Sequence, residues 1–184
     1  MAYGNQFTGG GNVVDGEDAK SSFSQTYTTE QYPVGTIRVE SADEVAAAEH
    51  TDGTSLGLQG DRTWLFVKAG VAVEAYDCVV NNAIATPLVV KPTPDDAAKD
   101  YTIRGIAQNA IALNSYGWVV IRGQCVVKGA DGITAGQYLD TNGSSGDDGQ
   151  CDDSTTVGEI IATALTGTGT PVASTVAAYV WGIR

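Results

Sequence analysis

The stretch Trp118-Val119-Val120-Ile121-Arg122-Gly123-Gln124-Cys125-Val126-Val127-Lys128 decides the fold class. It is the strongest β signal in the chain, because β-branched and aromatic side chains pack well on a pleated, half-buried surface. Gly123 interrupts two apolar runs, which predicts a bulge or sharp bend in a curved sheet. Trp118 follows Gly117 directly after a turn, either as a core residue or as a subunit-interface anchor. Arg122, one of ten basic residues, sits inside an apolar run. It is expected to pair with a carboxylate or to lie on a solvated face.

Outward from this stretch the pattern is strand after strand. Downstream, Asp131-Gly132 gives a hairpin-type turn before a strand over 133–139. A polar loop over 142–154 leads to strands over 157–165 and 175–183. Upstream, strands are expected over 63–69 and 71–75, broken at Gly70, then over 76–80, 87–90 and 101–111. Residues 92–99 form a polar connector. Residues 34–40 make a first, alternating strand. Ser41 and Glu44 then match a capping box, which predicts one short helix to about His50. Frequent turns between short strands imply a mainly β fold, a small antiparallel sandwich or barrel-like domain, over a parallel α/β sheet.

Residues 1–33 form a separate unit, an extended N-terminal arm before a β-rich domain over 34–184. The arm is rich in Gly, Ser, Thr, Asn and Gln and cannot bury enough of itself to fold alone. It still carries Tyr3, Phe7, Phe23, Tyr27 and Tyr32 at intervals. Isolated aromatics on a polar arm suit anchors that enter pockets on another surface. The plainer alternatives are an arm folded back on its own domain and a frayed terminus. With about 1.5–3 kcal/mol per buried anchor against about 1–2 kcal/mol per ordered residue, five anchors do not order thirty residues. Deleting residues 1–33 is expected to leave the domain folded and to weaken partner binding.

Composition narrows the function. The chain has 184 residues, 17% of them charged, and a net charge of −12. Such acidity repels phosphate backbones and anionic lipid head groups, so neither nucleic acid nor membrane is an expected partner. Cys78, Cys125 and Cys151 are too scattered for a disulfide framework or zinc site. Cys78 and Cys125 lie in apolar runs and read as core residues, whereas Cys151 lies in an acidic loop and is expected to be exposed. The N-terminus lacks the basic and apolar regions of a signal peptide, and no apolar run reaches a membrane-spanning length. A soluble protein, intracellular when made, is expected.

Catalytic chemistry is not legible. The single histidine, His50, lies in a polar stretch and reads as surface. No phosphate-cradling glycine motif occurs. Adjacent pairs such as Asp95-Asp96 point to opposite faces of an extended chain, a poor geometry for acid/base work. Asp140-Thr141-Asn142-Gly143-Ser144 opens like a calcium loop. Ser145 then replaces the turn glycine and Cys151 the bidentate glutamate, so a solvated acidic loop is the favoured reading. No catalytic, cofactor-binding or metal-ligating residue is assigned, and no cofactor is expected.

The order Tyr32-Pro33-Val34-Gly35-Thr36, Phe66-Val67-Lys68-Ala69-Gly70, Tyr76-Asp77, Gly105-Ile106-Ala107-Gln108, Tyr116 to Gly123, and Gly158-Glu159-Ile160-Ile161-Ala162 resembles the head decoration or capsid-cement proteins of tailed bacteriophages. The resemblance covers roughly residues 32–184. It implies a β-rich domain, often a homotrimer, seated on the outer capsid surface where it binds the major capsid protein and cements contacts between its subunits. It implies no enzyme activity. Tyr3, Phe7, Phe23, Tyr27, Tyr32 and Trp118 are the expected capsid or subunit contacts. The alternative is a receptor- or carbohydrate-binding β-module on the virion. Trp64, Trp118 and Trp181 count against it, since all three lie within strand patterns.

Overall fold

The computed structural model describes residues 23, 25–42, 60–83, 88–94, 103–141, 148–153, 160–167 and 174–181. Ten strands follow in chain order: β1 (Ile37–Glu40), β2 (Arg62–Ala69), β3 (Cys78–Asn81), β4 (Val89–Pro92), β5 (Ile103–Ala107), β6 (Tyr116–Gly129), β7 (Tyr138–Asp140), β8 (Asp152–Asp153), β9 (Ala162–Ala164) and β10 (Ser174–Val180). They form one sheet in the order β1-β2-β4-β3-β5-β6-β10-β9-β7-β8. β2 pairs with β6 as well, so the first half of the sheet curls back on itself. The pairings between these strands are antiparallel except β2–β4, where Lys68 faces Val89 in parallel register. The mainly β expectation holds.

β6 is the spine. Its first half lies against β2, with Phe66 opposite Trp118, and its second half against β10, with Ala178 opposite Cys125. Gly123 marks the change of partner. Its φ is +105°, and a Cβ there would collide with the Asp61 carbonyl. Only glycine combines that backbone conformation with so close an approach. The bend expected from the sequence is therefore present, and it divides one continuous strand between two parts of the sheet.

Alternation builds two cores from the same strands. Trp64 and Phe66 of β2 join Phe23, Trp118, Cys125, Val127, Leu139, Val176 and Ala178 in the larger cluster. Leu65, Val67 and Ala69 point the other way, onto Val79, Val90, Ile111 and Val119. A strand buried on both faces has no polar alternation, which is why residues 64–67 are uninterruptedly apolar.

Several expected strands are shorter than predicted. Over 71–75 there is a turn with one bridge, Val73 to Ile111, because Tyr76 takes a positive φ of 72° and redirects the chain. Over 133–139 only the last two residues are extended. Gln137 folds back instead, its Oε1 accepting from Thr134 N at 2.6 Å and its N–H donating to Thr134 O at 3.2 Å. The helix expected after Ser41 lies, beyond Ala42, outside the described residues.

Candidate interaction surfaces

The aromatic residues of the arm that the structure describes belong to the domain. Phe23 stacks on Trp64 at 5.0 Å between ring centroids and meets Trp118 edge-on at 5.3 Å. Tyr32 packs against Phe66 and Trp118, each at 5.3 Å. Tyr27 exchanges two backbone hydrogen bonds with Tyr116, at 2.8 and 2.7 Å. Phe23 and Trp118 are buried, while Tyr27 and Tyr32 keep partial exposure. Of the expected contact residues, then, Phe23 and Trp118 have almost no surface for a partner. A deletion through residue 33 would strip rings from the core, contrary to the expectation that the domain survives it. Widely spaced rings on a polar segment fit a strap over an aromatic core as well as they fit anchors for a partner. Tyr3 and Phe7 lie outside the described residues.

β1 is oriented inside out. Arg38 and Glu40 face the aromatic core, whereas Ile37 and Val39 are 59% and 64% exposed. Hydrophobic alternation alone would choose the opposite orientation. Polar contacts override it. Arg38 lies over the Tyr32 ring at 4.6 Å and near Trp118 at 5.5 Å. Glu40 Oε2 sits 2.8 Å from Arg62 Nε and accepts a 2.9 Å hydrogen bond from Trp64 Nε1. A buried carboxylate needs an opposite charge and a donor, and here Arg62 supplies the charge and the Trp64 indole the hydrogen bond. Among the described strands β1 is the end of the sheet, bonded on one side to β2. Ile37 and Val39 therefore stand together on the outward side of this end strand.

The three cysteines converge. Cys151 is fully buried, not exposed as its loop composition suggested. Its carbonyl accepts from Ala130 N and its N–H donates to Lys128 O, both at 2.8 Å, which pulls the end of the acidic loop against β6. Its thiol hydrogen-bonds with that of Cys78, and this contact together with burial holds it well above the ordinary thiol range. Burial pushes Cys125 up to about 12. Cys125 and Cys151 are therefore neutral, inert thiols. Asp140, expected in a solvated loop, is buried in β7. Among the described residues no group of three or more His, Cys, Asp or Glu is arranged to hold a metal.

One buried acid is out of the ordinary. Asp77 is pushed up to about 6, chiefly by burial, partly offset by the hydrogen bond from Glu74 N at 2.8 Å and by Lys128, whose Nζ lies 3.7 Å away. Gly149 packs so closely on this carboxyl that a Cβ would collide with it.

The outward face of β10, β9 and β7 carries three rings, Trp181 and Tyr138 exposed and Tyr179 half-buried. Tyr179 stands opposite Thr163, and Thr163 opposite Tyr138. Trp181 continues the row of Tyr179, packing edge-on at 5.7 Å. It is 57% exposed, unlike the buried Trp64 and Trp118, so the sequence-based grouping of the three tryptophans does not hold. Arg122 is exposed on a solvated face. Periodicity could not separate Trp181 from the other two, because a strand pattern reveals alternation and not which face meets solvent.

No family model matches the sequence, and no curated protein matches it. Among solved structures, the chain is similar to the N base of the head fibre gp8.5 of bacteriophage phi29, at 14% identity and a TM-score of 0.44, over 64% of this chain and 92% of that one.

Proposed function

We propose that this protein is a structural component of a tailed-phage virion, binding the outer surface of the assembled capsid and stabilising contacts between major capsid protein subunits. The observation that carries the reading is β1, the end strand among the described strands, whose exposed Ile37 and Val39 offer an apolar binding strip. A strand added at a sheet edge binds through its backbone, and alternate side chains such as Ile37 and Val39 supply specificity. Burying the two aliphatic side chains contributes about 1.5–3 kcal/mol each. The order of segments that resembles decoration proteins supports the same role. A homotrimer multiplies this modest contact through avidity. A protein that binds only the assembled lattice stabilises it by mass action.

The test mixes purified protein with undecorated, expanded heads, pellets them, and measures bound copies and the temperature of head disruption. Saturable binding that raises this temperature, and is lost with Ile37→Lys/Val39→Lys, is the expected result. Binding without stabilisation supports display in place of cementing. No binding removes the capsid reading.

A further inference from the structure

The geometry points to a carbohydrate-binding shelf on the outward face of β10, β9 and β7, formed by Trp181, Tyr179, Thr163 and Tyr138 and taking a neutral oligosaccharide. Inward-facing Ala178, Val180, Ala162, Ala164 and Leu139 fill the core, so the residues between them must point outward. Cross-strand pairing then sets Tyr179, Thr163 and Tyr138 in one row. Gln124 stands opposite Tyr179 at the β6 end of that row.

Trp181 is held although it is exposed. Its Nε1 donates to Thr163 Oγ1 at 3.0 Å, and its ring lies against Tyr179 at an interplanar angle of 75°. The indole is tied across β10 to β9 while more than half of it remains in water. A large ring with its polar atom already satisfied and its orientation fixed can stack on a ligand with little ordering cost. Tyr138 is 51% exposed two strands away, and Leu165 extends the apolar surface along β9.

The chemistry favours a sugar over a protein. A pyranose presents an apolar C–H face rimmed by hydroxyls. The shelf sets the exposed Trp181 and Tyr138 rings beside the half-buried Tyr179, with the Thr163 and Gln124 side chains in the same cross-strand row. A stable protein interface needs about 800 Å² per partner around a dry apolar centre, whereas here the rings are interspersed with polar side chains. The net charge of −12 disfavours acidic polysaccharides. The shelf does not involve β1 and does not depend on the capsid reading.

The test titrates the full chain with oligomers of N-acetylglucosamine, glucose and galactose. Tryptophan emission and amide chemical shifts are followed up to about 10 mM, the range of weak binding. Trp181 is the exposed one of three tryptophans, so its emission shifts to shorter wavelength on stacking. Saturable shifts with at least one oligomer are expected, mapping to β7, β9 and β10. They should weaken at least about tenfold in Trp181→Ala and less in Trp181→Phe, with unchanged thermal unfolding. Silence across all three series, or equal binding by Trp181→Ala, overturns the proposal. So does loss of head binding in Trp181→Ala without any sugar response, which would make the face a protein interface. Failure of β1 variants to bind heads leaves the shelf intact, so the two readings fail separately.

Discussion

Glu40 and Arg62 form an ion pair at 2.8 Å with both side chains almost wholly removed from water. The Arg62 Nε–H is out of line for a hydrogen bond, so the pair is held by charge and by the Trp64 indole rather than by an aligned donor. Removing one partner strands the other. Glu40→Ala should cost about 3–5 kcal/mol, whereas Glu40→Leu with Arg62→Met should be close to neutral. Denaturant unfolding of both variants checks this. A single variant no worse than the double would show that the pair does not orient β1.

Asp77 makes the opposite contribution to that of a typical carboxylate. Its folded value of about 6 lies above its ordinary 3.8, so the folded state holds the proton more tightly. Ionised Asp77 therefore lowers stability above about pH 6, and the penalty is relieved as pH falls through 6 towards 3.8. The shift corresponds to roughly 3 kcal/mol at most. Asp77→Asn should be more stable than the parent at pH 8 and should flatten the pH dependence between 5 and 8. Unfolding curves at those two pH values, for parent and variant, measure it.

Phe23 separates the two roles considered for the arm. Phe23→Ala removes a ring packed between Trp64 and Trp118 and should cost about 3–5 kcal/mol. Deleting residues 1–22 leaves Phe23, Tyr27 and Tyr32 in place and should keep thermal stability close to that of the parent. If the truncated protein is stable but binds heads more weakly, Tyr3 and Phe7 act as anchors. If it binds equally, the arm has no role in docking.

The cysteines should be silent in the folded protein. With all three thiols buried and Cys125 pushed up to about 12, iodoacetamide at pH 8 should label none before unfolding and three afterwards. Mass spectrometry counts the adducts. Rapid labelling of Cys151 in native protein would place it outside the core.

Residues 118–128 carried the fold class because β propensity, the Gly123 interruption and flanking turns are local properties. Each acts through the backbone of a few neighbouring residues, and each was legible before any partner strand was known. The burial of Cys78 and Cys125 followed in the same way from apolar runs. Three features were decided only by tertiary structure. Ile37 and Val39 face outward because Glu40 meets Arg62 and Trp64, residues more than twenty positions away. Cys151 is buried because its backbone pairs with Lys128 and Ala130 across the acidic loop. Trp181 is exposed because β10 turns its other face to the core. Alternation in a strand shows that two faces differ, but the contacts that select which face is covered come from distant segments, and no local pattern contains them.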